Sequence, residues 1–335
     1  MTEVKSKKGL VRVVLGIGIS LAALVILIRL VDVRQVLASL QGIKLSIVIP
    51  ALALLVISLL TRAAAWRVIL KEKISIWKSF FIVNSGYFVN TVFPFRIGEL
   101  TRAFLLKPSG FAFWEAIPTI LLERLFDFGF ALSFFFIGLP FAIGFSQGIT
   151  YAYLIAGGIP AVILALYLLV RNQQQVISWI NSTTLIKSNI KERLLKVIEP
   201  LLSSLGILTD PLRLVKVFAW MLISWSIALF YQYLLLRAFV PDGQLIWAAF
   251  TLGALALGVS IPSSPGNIGL YEASITLALS AFGVDQSVAF AYALTSHVLS
   301  LLVTTLLGSF GLVREGFALR DIWQFSKQQK KEVDL

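Results

Sequence analysis

The chain has no cysteine and a single histidine, His297. Without thiols there is no disulfide, no thiol nucleophile and no cysteine-ligated metal. Charge is also scarce. Asp, Glu, Lys and Arg make up 14% of the 335 residues, where soluble domains carry roughly a quarter. Long polar stretches are missing too: the longest, 171–212, is too short and too amphipathic to hold a core of its own. The usual enzymatic signatures are absent, with no G-x-S-x-G elbow, P-loop, H-E-x-x-H or D-x-D pair. No cofactor or metal is expected. What is abundant is hydrophobicity, at 58% of residues and a mean hydropathy of +0.89. Together these describe an all-α polytopic membrane protein, one integral membrane domain over 1–335.

Apolar runs of about 18 residues or more place full spans near Val11–Ile28, Leu45–Leu60, Trp114–Leu139, Thr150–Val170, Val217–Ala238 and Val288–Leu312. The first follows a basic leader but lacks a small-x-small cleavage site, so a retained signal anchor is expected. Two further apolar stretches, Trp77–Leu106 and Leu245–Ala281, are interrupted by Pro, Gly and polar residues. The formal charge of +12 invites a nucleic-acid reading, but its distribution argues against one. With the N-terminus inside, Lys5, Arg12, Arg62, Arg67, Lys71, Lys73, Lys78, the 171–216 loop and the tail from Arg314 all face the cytoplasm. Only Arg29, Arg34, Lys44 and Arg237 face out, as the positive-inside rule predicts.

This bias holds if each broken stretch enters and leaves on one side. The expected architecture is then about six full spans plus two re-entrant broken-helix hairpins, with both termini in the cytoplasm of a cell (inner) membrane. Ile190, Leu194, Val197, Ile198, Leu201 and Leu205 recur at helical spacing and predict an amphipathic connector in the interface.

The two broken stretches correspond. Laying IPSSPGNIGLYE over FPFRIGELTR sets Pro94 on Pro265, Ile97 on Ile268 and Gly98 on Gly269, with Arg96 facing Asn267. Placing Gly110 on Gly283 sets Glu123–Arg124 on Ser296–His297. With three spans between the hairpins, the repeats are expected to be inverted, at about 76–140 and 244–314, joined through the 171–212 connector and followed by a cytoplasmic tail at 315–335.

Helix breaks inside a bilayer expose N–H and C=O groups that cost several kcal/mol each unless satisfied, so they survive where they line a polar cavity. Half-helix N-termini carry partial positive charge and suit an anion such as phosphate or carboxylate. The candidate substrate residues are therefore Asn90, Pro94, Arg96, Gly98, Arg102, Pro265, Gly266, Asn267 and Gly269. Arg96 and Arg102 do not share a helical face, so one of them suffices for direct contact. Glu99 is placed to pair with Arg102 three residues on. A plain headgroup-level connector is the competing reading of this stretch.

In LLERLFDF, Glu123, Arg124 and Asp127 sit near the bilayer middle, about 15–20 Å deep at ~1.5 Å per residue. Buried charges there mark a pathway by default, with a self-neutralised structural cluster as the alternative. His297 is either a packing residue or part of the pathway, and Glu272 is the best candidate for proton coupling. Glu99, Glu123, Arg124, Asp127, Glu272 and His297 make up the charge-coupling set.

N-x3-P-x-R-x-G-E-x2-R from Asn90 to Arg102, E-R-x2-D from Glu123 to Asp127 and P-x2-P-G-x2-G-x2-E from Pro262 to Glu272 resemble the flippase-like integral membrane family. That is the family of the transmembrane half of lysylphosphatidylglycerol synthases. The resemblance runs from the first spans to about Gly316 and implies lipid translocation, or a lipid-linked glycan role in some relatives. The chain ends at Leu335 without the synthase's cytoplasmic aminoacyl-transferase domain, so transport without lysine transfer is expected.

The resulting expectation is a transporter or flippase for an anionic lipid or a polyprenyl-phosphate-linked headgroup, with membrane lipids as its partners and no nucleic acid. Its rivals are a secondary carrier of a small organic anion, an intramembrane transferase acting on lipid carriers, and a scaffold.

Overall fold

A computed structural model describes residues 29, 31–93, 96–143, 168, 171–182, 210–261 and 263–325. The expected span at 11–28, nearly all of that at 150–170 and the interfacial helix at 187–205 lie outside them. Among the described residues the chain is helical, without strands. The helices are α1 Val33–Gln41, α2 Leu45–Ile69, α3 Ile76–Val92, α4 Ile97–Leu105, α5 Phe113–Ile143, α6 Gln173–Ser182, α7 Pro211–Phe239, α8 Leu245–Gly258, α9 Leu270–Ser280 and α10 Gln286–Arg314. Four of these, α2, α5, α7 and α10, are long and apolar enough to cross a membrane.

Local chemistry sets many of the boundaries. Ser75 caps α3 by accepting from the Lys78 N–H, and Asp210 caps α7 with Pro211 at its first position. Asp285 starts α10 by accepting from the Ser287 and Val288 N–H groups. Helix α2 runs further than its apolar stretch, through Arg62 and Arg67 to Ile69. Within it Arg62 pairs with a carboxylate on α5, so its charge does not need to reach water.

Both interrupted stretches are broken where expected. Helix α3 stops at Val92, and Phe93 is extended, as the residue before Pro94 should be. Arg96 then takes a left-handed conformation, φ 54°, and α4 begins. In the second stretch α8 ends at Gly258, a 3-10 turn covers Pro265–Asn267, and α9 begins at Leu270. Asn267, the counterpart of Arg96, is also left-handed, at φ 57°. Gly266 and Gly269 have φ values of 67° and 87°, a region that a Cβ disfavours.

Directions follow from contacts. Helix α2 is antiparallel to α3, with Ser79 donating to the Ala63 carbonyl, and to α5, through Trp66–Thr119 and Arg62–Asp127. Thus α3 and α5 run the same way, with the short α4 between them. Helix α10 is antiparallel to α3, through Lys78–Glu315, Phe81–Phe310 and Ser85–Gly308. Helix α8 is antiparallel to α5, with Phe250 against Phe135 and Gly138, and Gly253 against Ala131. Thus α8 and α10 also run the same way, with α9 between them.

The packing is matched on both sides. α2 lies on α7, α3 on α10 and α8 on α5, while α4 packs on α3 and α5 just as α9 packs on α8 and α10. The hydrophobic core is shared among α2 to α5 and α7 to α10.

Candidate functional site

A cavity of about 500 Å³ lies where the two breaks meet. The end of α3 supplies Tyr87, Asn90 and Thr91 to its wall, and the second break supplies Ser263, Gly266 and Asn267. Its charged groups are Arg62, Arg96, Glu99, Arg124 and Asp127. Three arginines against two carboxylates leave one positive charge in excess. The rest of the wall is largely apolar, including Leu55, Leu59, Trp225, Leu252 and Leu255. A polar end beside an apolar wall suits an amphiphile.

The charges pair mainly between helices, with one further contact inside α5. Arg62 on α2 donates to both carboxylate oxygens of Asp127 at 2.6 Å, and the Trp225 indole donates to the same group at 3.1 Å. Arg124 lies 3.0 Å from Glu99 and 3.3 Å from Asp127. Glu99 therefore meets Arg124, not Arg102. Arg102 is 1% exposed and pairs with the fully buried Glu123. Its guanidinium also sits 4.2 Å from the centre of the Trp66 ring, a cation–π contact. Arg102 and Glu123 stand behind the cavity wall rather than on it.

Arg96 is different. Among the described residues no carboxylate lies within ion-pair distance of it. Its guanidinium donates to the Val259 carbonyl at the end of α8, tying the first break to the second. Asn90 accepts from the Gly98 N–H at 2.8 Å, which leaves one fewer free donor at the start of α4. A Cβ on Gly98 would collide with the Gly86 carbonyl, so this glycine lets the two arms of the first break close together.

The second break is organised around Glu272 and His297. Glu272 accepts from the Gly269 N–H at 2.7 Å, closing the N-terminus of α9. His297 Nδ1 lies 2.6 Å from Glu272 Oε1, and Nε2 lies 2.9 Å from the Gly266 carbonyl. Ser263 donates to the Asn267 side chain at 2.9 Å. Pro265 lies in the 3-10 turn beside these groups, and Pro94 falls outside the described residues.

Of the sequence candidates, Asn90, Arg96, Gly266, Asn267, Glu99, Arg124, Asp127 and His297 border the cavity. Gly98, Arg102, Glu123, Gly269 and Glu272 support it from behind. Sequence reasoning passed over Arg62, Tyr87, Trp225 and Tyr271, all on the wall. Arg62 carried a usable signal, a lone charge followed by three alanines in a helical run. The aromatic residues carried none.

A family model described as the lysylphosphatidylglycerol synthase TM region matches residues 13–308. A UPF0104 membrane protein of Methanocaldococcus jannaschii is 26% identical over 246 residues, covering 72% of this chain and 99% of that protein. No solved structure matches.

Proposed function

This integral membrane protein belongs to the family of the lysylphosphatidylglycerol synthase transmembrane region, and from that premise we propose that it moves an anionic lipid or polyprenyl-phosphate-linked headgroup across the bilayer. One observation carries the reading: Arg96 brings a guanidinium that has no carboxylate partner among the described residues to the cavity where the two helix breaks meet. A phosphate would exchange the Val259 carbonyl for a charge-assisted, bidentate partner. Arg124, also on the cavity wall, is the second donor. Tyr87, Asn90, Ser263 and Asn267 offer further polar contacts, and the apolar wall accommodates the first carbons of the chains. Glu99 and Asp127 keep the arginines in place when no substrate is bound.

In this reading the two breaks are re-entrant hairpins. The parallel course of α3 and α5, with α4 between them, supports a return to the side of entry, and α8, α9 and α10 repeat the arrangement. The matched packing and the paired left-handed residues Arg96 and Asn267 support two inverted repeats around one central site, a design suited to alternating access. The span near 11–28 and the one near 150–170 bring the full crossings to about six, with both termini in the cytoplasm of the cell membrane.

The test is reconstitution into liposomes containing a fluorescent anionic phospholipid, read by quenching of the outer leaflet. Wild-type protein is expected to expose the inner-leaflet lipid to quencher, and Arg96→Ala to abolish this while remaining folded. A wild-type protein that is silent across lipid classes overturns the reading.

A further inference from the structure

The carboxylates at the site have partners of two kinds. Glu99 is held by Arg124, Asp127 by Arg62, and Glu123 by Arg102. A guanidinium stays protonated at physiological pH, so these pairs keep their charge. Glu272 meets His297 instead, the one histidine of the chain. An imidazole exchanges its proton near neutrality.

Hydrogen-bond accounting locates the protons. The Gly266 carbonyl can only accept, so His297 Nε2 carries a hydrogen. The 2.6 Å separation between Nδ1 and Glu272 Oε1 needs one more proton between them. With it the pair is neutral overall, as imidazolium and carboxylate or as imidazole and carboxylic acid. Without it, whichever tautomer the ring takes, one of the two contacts sets lone pair against lone pair, and a buried carboxylate has lost its cation. The ring has little freedom to find another arrangement. It stacks on Tyr271 with centroids 4.0 Å apart and planes at 6°, and the Tyr271 hydroxyl meets Ser296 at 2.7 Å.

Three parts of the fold converge on that proton. His297 belongs to α10, Glu272 belongs to α9 and closes its N-terminus, and Gly266 lies in the left-handed turn of the break. We infer that Glu272 and His297 bind one exchangeable proton that clamps the second break against α10, and that its release frees the break to move with substrate. The coupling to substrate rests on the transport reading above, whereas the protonation does not. The first break has no such switch, because the pairs tying α4 to α5, Arg102–Glu123 and Glu99–Arg124, both rest on a guanidinium. The surroundings add no competing titration near neutrality. Helix α8 brings no titratable side chain, α3 brings Tyr87 and α7 brings Tyr231, phenols that stay neutral at physiological pH. Lys78 is engaged with Glu315 past the far end of α10, and Asp32 lies at its start. Across the cavity stand Arg96 and the arginine-paired carboxylates.

Since the chain has one histidine, ¹⁵N-histidine labelling reports a single imidazole. In nanodiscs, its nitrogen signals are expected to pass from one protonation state to the other as the pH is changed, and Glu272→Gln is expected to move the midpoint of that change. A second readout is the maleimide reaction of Ser260→Cys on the cavity wall, divided by that of Ser182→Cys on the exposed α6 to remove the thiol's own pH dependence. The ratio is expected to rise several-fold along the wild-type titration and to stay flat in His297→Gln. An imidazole that keeps one protonation state, a midpoint unmoved by Glu272→Gln, or a flat wild-type ratio overturns the clamp. If the titration and the ratio behave as expected but liposomes move no lipid, the clamp stands and the transport reading falls. Lipid movement that ignores an imposed pH gradient overturns the coupling.

Discussion

Arg96 and Arg102 lie six residues apart and do opposite work. Arg96 faces the cavity with a backbone carbonyl as its partner, so its charge is available to a ligand. Replacing it with alanine is expected to stop lipid movement and to change the denaturation midpoint in detergent little, since no buried counter-charge is stranded. Arg102 is buried with Glu123 and Trp66, so Arg102→Ala leaves an uncompensated carboxylate in the interior. Breaking a buried pair from one side costs about 3–5 kcal/mol. The low end is expected here, because Arg62 remains 3.6 Å from Glu123. Chemical denaturation in detergent checks this, and the double variant Arg102→Met/Glu123→Leu should recover most of the loss, since it removes both charges from the interior.

At the scale of the elements, close approach decides the packing. Lipid tails are as apolar as leucine, so transmembrane helices associate through tight contact and small residues. Gly308 and Gly311 on α10 let it lie against the backbone of α3 at Asn84 and Phe81. A leucine at 308 would meet the Asn84 carbonyl and Phe88. Gly308→Leu is expected to cost about 1–3 kcal/mol through overpacking, read as a lower thermal midpoint. Because α3 ends at the cavity, it should also reduce lipid movement in the molecules that remain folded. A variant with unchanged stability would mean that α3 and α10 do not pack this closely in the membrane.

At the scale of the molecule, among the described residues, the helices before and after the 171–212 connector exchange contacts: α3 lies on α10, and α8 on α5. Such interlocking makes either half alone a poor folding unit, since each broken helix is covered by the long helix of the other half. It also places both breaks at one cavity. The proposed topology puts α6 in the cytoplasm. Ser182→Cys should then react with a membrane-impermeant maleimide only after the cell membrane is opened. Labelling in intact cells would turn the 171–216 loop outward and remove the re-entrant hairpins.

Composition and hydropathy set the class of the protein, and short-range rules set the places where its helices stop. Pro94 forces Phe93 out of the helix, and Gly266 and Gly269 accept left-handed turns. Asp210 and Asp285 cap helices within three residues of themselves. Each of these effects acts over one turn of chain, so each is legible from neighbours in the sequence. Pairing is not. Asp127 takes its main partner, Arg62, from 65 residues away, and Glu123 takes Arg102 from the preceding short helix. The spacing of Glu99 and Arg102 suggested a pair that the packing of α4 on α5 replaces with Glu99–Arg124. In a medium of low dielectric a charge is held by whichever opposite charge the neighbouring helix delivers, and helix adjacency is settled by the packing of the whole bundle. The residue types that could bind an anion were therefore legible in the sequence, but only the tertiary structure decided which arginine faces the cavity and which one holds it together.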